Sequence, residues 1–491
     1  MSGYRVGLVI LFVLLALGFA RNAFIVWHQP LAGFGNNNDF LRTQSCFNIG
    51  PVGVQTVRGG QHITMPATTY EYGVTYPMDY CYIGSGLALF AAAIGIDQLE
   101  NALTGDTYLQ LRYVGSLLLV GTAFLAAIYC TLWWRQGRRD AAVLNAAVYA
   151  VVLCDPFNTL YHNTLYLEGI ALYYGYAALL ATFYAMGHPT PRRIHWGLAM
   201  AGWLLFATVK AQYMLHGALA VILLLLWCRI QRCTLPRSIW LLALVVMFVP
   251  FALQQWSMQR SDFMRMFKPT NLTNLYLDTV LGAAKDPHAM AERLGLPRTC
   301  GDHAGKNIFH PDMIGGHLCP EVTELSRRHL YKVILAEPLL LLRTLPEAAA
   351  RSRDWLCLRF GTLHGQEHAR PDFTSLPWFS LGALTAAAPF WLLALWMIGE
   401  LLLLMVVSLK AAIHTLDTQS AAFPLRHSAL LWIGAAGHLV FVVSLLGDGY
   451  SDIARHNHLY QNMLAVLLFF RLSFPLYWAK TRDYFDIFDK R

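Results

Sequence analysis

The chain has 491 residues, of which 56% are hydrophobic when tyrosine is counted and only 13% are charged, and its mean hydropathy is +0.42. Soluble globular proteins carry about twice that share of charged residues, so the composition excludes a soluble enzyme, and a disordered chain would be far less apolar. Lys and Arg outnumber Asp and Glu by 37 to 29. Because the excess lies in short loops between apolar runs, it indicates membrane topology rather than nucleic-acid binding.

Apolar runs long enough to cross a bilayer recur along the whole chain. A helix needs about 20 such residues to span a hydrocarbon core of about 30 Å. Ten runs are candidates: 6–27, 110–134, 141–156, 166–186, 196–212, 214–228, 238–255, 382–408, 427–446 and 459–478. We interpret an eleventh stretch, 84–103, as an interfacial helix, with a further span as the alternative. The sequence therefore predicts an all-α polytopic membrane protein with about ten transmembrane helices, or eleven if 84–103 also spans.

Basic residues predict the orientation of these spans. With ten spans, the basic loops fall on one face, which the positive-inside rule assigns to the cytoplasm. The residues concerned are Arg135, Arg138, Arg139, Arg192, Arg193, Arg229, Arg232, Arg237, Lys410, Arg426, Lys480, Arg482, Lys490 and Arg491. Both termini are then cytoplasmic, and two long segments lie on the outer face.

The two long outer segments divide the chain into three parts. Residues 1–255 form a transmembrane module that includes the first outer loop, 28–109. Residues 256–378 form an outer domain of helices and turns, and residues 379–491 supply the last transmembrane helices.

Four cysteines lie in the outer segments, where an oxidising compartment lets disulfides persist. Cys46 and Cys81 share the first loop, and Cys300 and Cys319 share the second, so each pair is expected to form a bridge. The alternative for the second loop is a zinc site made of Cys300, His303, His317 and Cys319.

Polar side chains collect at the outer ends of the spans, although charges at membrane depth are costly and mark function by default. Four segments carry them: Asp39 and Arg42; Asp155, His162, Asn163, Tyr166 and Glu168; Lys210 and Gln212; Asp448, Asp452, Arg455 and His456. Four such segments on one face predict a cavity that opens both to the lipid and to the outer solution.

The residue types suit glycosyl transfer from a lipid-linked phosphate sugar. Lys210 and Arg455 can bind the phosphate, a carboxylate can take the proton of an acceptor hydroxyl, and the segment around Asn163 can contact the sugar. Each segment also has a plainer interpretation: an Asn-rich turn at Asp39, helix capping and an aromatic belt around Asn163, a lysine reaching the headgroups, and a capped helix with a basic anchor before the last span.

Five motifs carry a resemblance to a known family. They are Asn38-Asp39-Phe40-x-Arg42, Tyr161-x-Asn163-x-x-Tyr166-x-Glu168, Lys210-x-Gln212, a stretch from Asn274 that ends Glu292-Arg293-Leu294-Gly295-Leu296, and Gly447-Asp448-Gly449-x-x-Asp452-x-x-Arg455-His456. In these the chain resembles bacterial integral-membrane glycosyltransferases of the GT-C superfamily, in particular the glycan-biosynthesis hexose transferases. Arg455 stands where the family pattern leads us to expect lysine.

The resemblance implies an inverting enzyme of a bacterial inner membrane, with its active site in the periplasm. It implies a polyprenyl-phosphate sugar as donor, a glycan or lipid-linked acceptor, and contact with membrane lipids. The catalytic acidic residue of the first outer loop would be Asp39, and Asp155 is the competing candidate. Some members need a divalent metal and others do not; the sequence assigns no metal ligands, although Asp39, Asp155 and Glu168 have suitable oxygens.

Other classes of function remain open at this point. A transporter or flippase of lipid-linked sugars should show ionisable groups near mid-span or broken-helix repeats; only Glu400 and His438 are of this kind, and no internal repeat is evident. An O-antigen ligase or polymerase would use related outer-face substrates. A non-catalytic assembly scaffold would not need carboxylates that face basic residues.

Overall fold

The computed structural model describes residues 2–37, 39–52, 62–63, 66–76, 79–308, 310, 319–353, 355, 380–416 and 424–478. Asn38, His317, the end of the outer domain (356–378) and the basic C-terminus from Lys480 lie outside these residues. The described helices are α1 (Ser2–Val26), α2 (Leu41–Phe47), α3 (Gly86–Thr104), α4 (Arg112–Arg135), α5 (Arg139–Val148), α6 (Pro156–Leu160), α7 (Leu167–Gly187), α8 (Arg193–Thr208), α9 (Leu215–Ile230), α10 (Arg237–Gln259), α11 (Asp262–Thr273), α12 (Pro287–Arg293), α13 (Arg327–Ala336), α14 (Pro338–Ser352), α15 (Leu381–Ala387), α16 (Phe390–Leu416), α17 (Leu425–Asp448), α18 (Ile453–His456) and α19 (His458–Trp478).

Seven described helices are long and apolar enough to cross a membrane, which confirms a mostly helical, multi-pass architecture. They are Arg5–Val26, Arg112–Arg135, Leu167–Gly187, Ala211–Ile230, Arg237–Gln259, Phe390–Thr415 and Leu425–Asp448. Two further helices, Arg139–Leu153 and Pro156–Asn163, meet at a bend of 63°, and the number of candidate spans rises to eight if this pair is counted as one span. The predicted number of ten is not reached by this criterion. Helices α8 and α19 occupy the fifth and tenth predicted positions, and α8 has only 16 residues, about 24 Å of helix.

The stretch interpreted as interfacial forms helix α3, which is not one of the seven apolar helices. Its Asp97 is buried and accepts hydrogen bonds from the hydroxyl of Tyr72 at 2.7 Å and from the backbone N–H of Gln110 at 2.9 Å. Ile96, Leu99 and Leu103 are exposed along one side. One face of α3 is thus held by hydrogen bonds to the protein, and the other face is apolar and exposed. This arrangement is compatible with the interfacial interpretation.

The first outer loop is not purely helical, which corrects the all-α prediction. Strand β1 (Asn36–Asn37) pairs with β3 (His62–Ile63), and β4 (Thr69–Tyr72) pairs on its two edges with β2 (Ile49–Pro51) and β5 (Tyr108–Gln110), all antiparallel. Such strands of two to four residues are too short for an alternating pattern to stand out from loop sequence.

Part of the outer domain has a hydrophobic core of its own. This core contains Leu275, Tyr276, Leu281, Leu294 and Val322, among others. The segment after Thr273 forms a π-helix, Asn274–Leu281, in which all eight residues are buried. It is buried on all sides because it contacts the transmembrane helix α17 as well as its own domain.

Both cysteine pairs form the predicted disulfides. The Cys46–Cys81 bridge joins α2 to the segment before α3, and the Cys300–Cys319 bridge closes a loop of the outer domain. The second bridge uses both thiols that the zinc alternative requires, so the structure contradicts that alternative.

Candidate functional site

Arg455 lies at the centre of a cluster of charged side chains drawn from distant parts of the chain. Only 4% of its side chain is exposed. Its Nη1 donates to Oδ2 of Asp39, its Nε lies 3.8 Å from Oε1 of Glu168, and its Nη2 lies 3.5 Å from Oδ2 of Asp452. The guanidinium also stacks on the ring of Tyr166, 4.9 Å from the centroid. Burying this cation is tolerable because three carboxylates surround it.

Lys210 forms the second positive centre. It has an extended backbone between α8 and the short 3₁₀ turn Ala211–Tyr213, which ends the helix and lets the side chain turn inward. Its Nζ donates to Oε1 of Glu168 at 2.8 Å, and only 1% of the Glu168 side chain is exposed. Glu168 stands in the first turn of α7 and therefore links Lys210 to Arg455 through a single oxygen atom.

Asp39 occupies the turn before α2 and contacts two guanidinium groups. Besides Arg455, the Nη2 of Arg42 lies 3.0 Å from its Oδ1. Burial by itself would raise the pKa of Asp39, but the nearby Arg42, Arg455 and Lys210 outweigh burial and hold that pKa far below its ordinary value of 3.8. Arg42 is covered in turn by the ring of Phe267 in α11, at 3.9 Å.

The segment from Gly447 to Asn457, which runs from the end of α17 through α18, carries the fourth predicted group of polar residues and is held by the outer domain. Asn274 donates to Oδ1 of Asp448 at 3.1 Å, and Arg327 donates to the backbone oxygen of Gly447 at 2.8 Å. Gly449 has φ +68°, and a Cβ there would collide with the hydroxyl of Thr279, so glycine is required at this contact.

His456 and Gln212 complete this side of the cluster. The amide of Gln212 donates to the backbone oxygen of His456 at 2.6 Å and to the hydroxyl of Ser444 at 2.7 Å. The imidazole Nε2 faces Nη2 of Arg455 at 3.4 Å, which makes Nε2 the acceptor and turns Nδ1 toward Asp448 at 3.8 Å. Burial, followed by the charges of Lys210 and Arg455, lowers the pKa of His456 well below 6.5, so the ring is neutral.

The remaining residues of the second segment support the cluster in different ways. Tyr166 donates from its hydroxyl to the backbone oxygen of Gly35 at 3.2 Å and packs edge-on against Phe40. Asn163 donates to the backbone oxygens of Val26 and Ala32, at 3.0 and 2.8 Å. These bonds fix the exit of α1 and therefore the turn that holds Asp39.

His162 is buried, and among the described residues it makes no hydrogen bond or ion pair with the charged cluster. Its ring lies in a polar group with His458, and its Nδ1 lacks a hydrogen-bond partner among the described residues. The structure therefore groups His162 with His458 rather than with the charged centre.

Asp155 belongs to a different network. It caps α6 by accepting from the backbone N–H of Phe157 at 3.0 Å, and it accepts from the hydroxyl of Ser380 at 3.0 Å and the N–H of Leu381 at 2.7 Å at the start of α15. Arg21 of α1 lies 3.7 Å away as its counter-ion. One fully buried carboxylate thus satisfies two helix N-termini, which favours Asp39 over Asp155 as the candidate base.

Among the described residues, the acidic side chains of the charged cluster do not bring three ligand atoms close enough to share an ion. In the part of the chain that the structure describes, Cys300, Cys319 and Glu321 are the group whose ligand atoms lie close enough to share an ion, and the two thiols form a disulfide. Asp39 and Glu168 are neutralised by arginine and lysine, and Asp155 lies in a separate network.

Several supporting residues escape sequence reasoning. The hydroxyl of Tyr82 accepts from the backbone N–H of Ala211 at 2.6 Å beside Lys210, and Thr279, Phe267 and Ser444 contact the cluster from other elements. Their residue types are common in apolar or loop segments, so no sequence signal distinguishes them. Asn274 is different, since the stretch that carries the family resemblance begins there.

A family model described as "YfdI N-terminal transmembrane domain" matches residues 5–484, nearly the whole chain. The match agrees with a membrane protein of several apolar helices. No curated protein and no solved structure matches the chain significantly.

Proposed function

The chain belongs to the family of the YfdI N-terminal transmembrane domain, and we propose that it is an inverting glycosyltransferase of the GT-C type. It moves a sugar from a polyprenyl-phosphate donor to a glycan or lipid-linked acceptor. The observation that carries the proposal is that Arg455 contacts Asp39, Glu168 and Asp452, so a potential base and the phosphate-binding cations share one buried site.

The bonds and the proton of this reaction can be accounted for with the residues of the cluster alone. The acceptor oxygen bonds to the anomeric carbon, while the bond from that carbon to the phosphate oxygen breaks and the polyprenyl phosphate leaves with the electron pair. Lys210 and Arg455 stabilise the charge that grows on the leaving phosphate. Asp39 receives the proton of the acceptor hydroxyl. Attack opposite the leaving group inverts the anomeric centre.

The same proposal includes a topology. We place ten spans in the bilayer, with α8 and α19 completing the set, both termini in the cytoplasm and the charged cluster on the periplasmic side of a bacterial inner membrane. The clustering supports this arrangement because it joins the C-terminal ends of α1 and α17 to the N-terminal end of α7. In the ten-span arrangement α1 and α17 are the first and ninth spans and α7 is the fourth. Because successive spans run in opposite directions, the C-terminal ends of odd-numbered spans and the N-terminal ends of even-numbered spans lie on the same side of the membrane.

The outer domain covers the cluster in this proposal and helps to select the acceptor. Phe267 lies over Arg42, and Asn274 holds Asp448, so the domain borders the site on two sides. The predicted contacts of His162, Asn163, Tyr166 and Gln212 with sugar or donor are part of the proposal, although Asn163 and Gln212 already bind backbone oxygens.

A transfer assay tests the function. Purified protein in proteoliposomes is given a panel of polyprenyl-phosphate hexoses and a membrane glycan extract, and both release of polyprenyl phosphate and the anomeric configuration of the product are measured. We expect release with inversion from one donor, and loss of release in Arg455→Gln. Retention of configuration, or no release from any phosphate-linked donor while pyrophosphate-linked glycans are consumed, would contradict the proposal.

A flippase of lipid-linked sugars is the second candidate, and two observations favour it. The helix pair Arg139–Leu153 and Pro156–Asn163 is bent by 63°, and Glu400, buried within α16, is paired with Arg471 of α19. Broken helices and intramembrane charges are typical of transporters. Movement of a fluorescent polyprenyl-phosphate sugar across the bilayer without release of the sugar would establish this alternative.

A further inference from the structure

The charged cluster is already neutralised by its own residues. Its three cations are Arg42, Lys210 and Arg455, and its paired carboxylates are Asp39, Glu168 and Asp452. Each cation contacts at least one of these carboxylates, at 3.0 Å for Arg42–Asp39 and 2.8 Å for Lys210–Glu168. An anionic phosphate entering this site therefore meets cations whose charge is already balanced, and it must compete with a carboxylate to bind them.

We propose that the phosphate of the donor and the carboxylate of Asp39 compete for Arg455, so that donor binding releases Asp39. The inference rests on the proposed function and adds an order of events to it. In the free protein Asp39 is held by Arg455. In the donor complex a phosphate oxygen takes that position on Nη1, and Asp39 turns its Oδ2 toward the acceptor hydroxyl while its Oδ1 stays beside Arg42.

Asp39 is the most exposed of the three carboxylates around Arg455. Its side chain is 14% exposed, compared with 1% for Glu168 and 9% for Asp452. Glu168 is fixed in the first turn of α7 and also holds Lys210. Asp452 has a left-handed backbone with φ 50° at the start of α18, which ties its position to the turn. Asp39 stands in a turn outside any helix.

This exchange of Asp39 for the donor phosphate on Arg455 explains how a carboxylate among three cations can serve as a base. While Arg42, Arg455 and Lys210 keep its pKa far below the ordinary value despite burial, Asp39 is a weak proton acceptor. Loss of the bond to Arg455, together with a new negative charge beside it, raises its affinity for a proton. Proton transfer is therefore favoured only once the donor is bound.

Competition for one cation makes a prediction with a definite sign. If Asp39 and the phosphate exclude each other from Arg455, Asp39→Asn should bind the phosphate more tightly than the wild type. The probe is a C55 polyprenyl phosphate titrated into protein in neutral nanodiscs. We expect a gain of about 5–150-fold, the usual range for coupled binding sites.

The matched control is Asp79→Asn. Asp79 is a carboxylate of the same outer loop that pairs with an arginine, Arg260 at 2.5 Å, in a separate ion pair. Its removal should leave the affinity for the probe unchanged. Equal or weaker binding by Asp39→Asn would overturn the exchange, as would equal tightening in both variants.

A second measurement keeps the inference testable if Asp39→Asn fails to fold. In a density map of the wild-type complex with the same probe, the phosphate should contact Arg455, and the Arg455–Asp39 contact should be broken. An intact pair with phosphate bound elsewhere would overturn the exchange.

Failure of the exchange is distinguishable from failure of the proposed function. If the wild type transfers sugar but Asp39→Asn does not bind polyprenyl phosphate more tightly, the glycosyltransferase proposal holds and the competition between Asp39 and phosphate is refuted. If Asp39→Asn binds polyprenyl phosphate more tightly but the wild type transfers no sugar, the competition holds and the glycosyltransferase proposal is refuted.

Discussion

Arg455 and Asp39 are 416 positions apart in the sequence and form a buried ion pair in which Nη1 of the arginine donates to Oδ2 of the aspartate. The pair joins the turn after the first span to the loop before the last helix. Because Arg455 also approaches Glu168 of α7, three distant segments meet at one guanidinium. A site assembled in this way depends on each of its charges.

Removing either central cation should weaken binding of a polyprenyl phosphate. Charged hydrogen bonds contribute about 1.5–3 kcal/mol, so Lys210→Ala and Arg455→Ala should each lower the affinity by at least about tenfold. The titration described for C55 polyprenyl phosphate measures this. Arg260→Ala, which breaks the Arg260–Asp79 pair instead, is the control. Unchanged affinity in either cluster variant would exclude that residue from the phosphate site.

Asp155→Asn should cost stability and not turnover. The carboxylate accepts hydrogen bonds at two helix N-termini and faces Arg21, and an amide would present N–H groups to some of these donors. We expect destabilisation by about 1–3 kcal/mol, seen as a lower thermal midpoint in detergent. Turnover per folded molecule should stay within a few-fold of wild type. Full stability with lost transfer would instead identify Asp155 as the base.

Gly449→Ala should displace the loop that carries Asp452 and Arg455. A Cβ at Gly449 meets the hydroxyl of Thr279, and φ there is +68°, so the substitution adds both a collision and backbone strain. We expect weaker donor binding from a protein that still extracts and elutes as the wild type does. Gly447→Ala is the matched control because a Cβ at Gly447 has open space. Equal behaviour of the two variants would contradict the contact.

Stability should fall as the pH drops below the ordinary histidine pKa, partly because of His456. Its folded pKa is well below 6.5, so below that pH the unfolded state binds a proton that the folded state does not, and stability decreases as pH falls. One such group contributes at most about 1.4 kcal/mol per pH unit. Thermal midpoints of wild type and His456→Gln between pH 7 and 5 should therefore converge or cross. Parallel curves would contradict the shift.

The sequence predicts most of the helical bundle because a membrane span can be recognised from the apolar composition of its own residues. The run around Leu11 to Leu17 or the run before Asp448 needs no tertiary information to be recognised as apolar helix. The same holds for the polar segments, since Lys210 or Arg455 next to such runs is conspicuous. Which cation meets which carboxylate depends on helix packing, and no local pattern specifies that Asp39 faces Arg455.

The sequence does not show the contacts of residues whose partners lie far along the chain. Asp155 has the features of a catalytic carboxylate in sequence, and only the position of Ser380, 225 residues later, shows it capping a second helix. Thr279 is an ordinary residue until Gly449 is placed against it. Strand β4, only four residues long, is likewise stabilised by pairing with β2 and β5 rather than by its own pattern.

The single-turnover rate of Asp39→Asn tests the central claim most directly. With a donor identified for the wild type and saturating donor and acceptor, the account predicts that the rate falls by about 10²–10⁴-fold while polyprenyl phosphate still binds and Asp79→Asn transfers sugar at the wild-type rate. A rate for Asp39→Asn close to that of the wild type would contradict the account, because proton removal would then occur without the carboxylate that Arg455 holds.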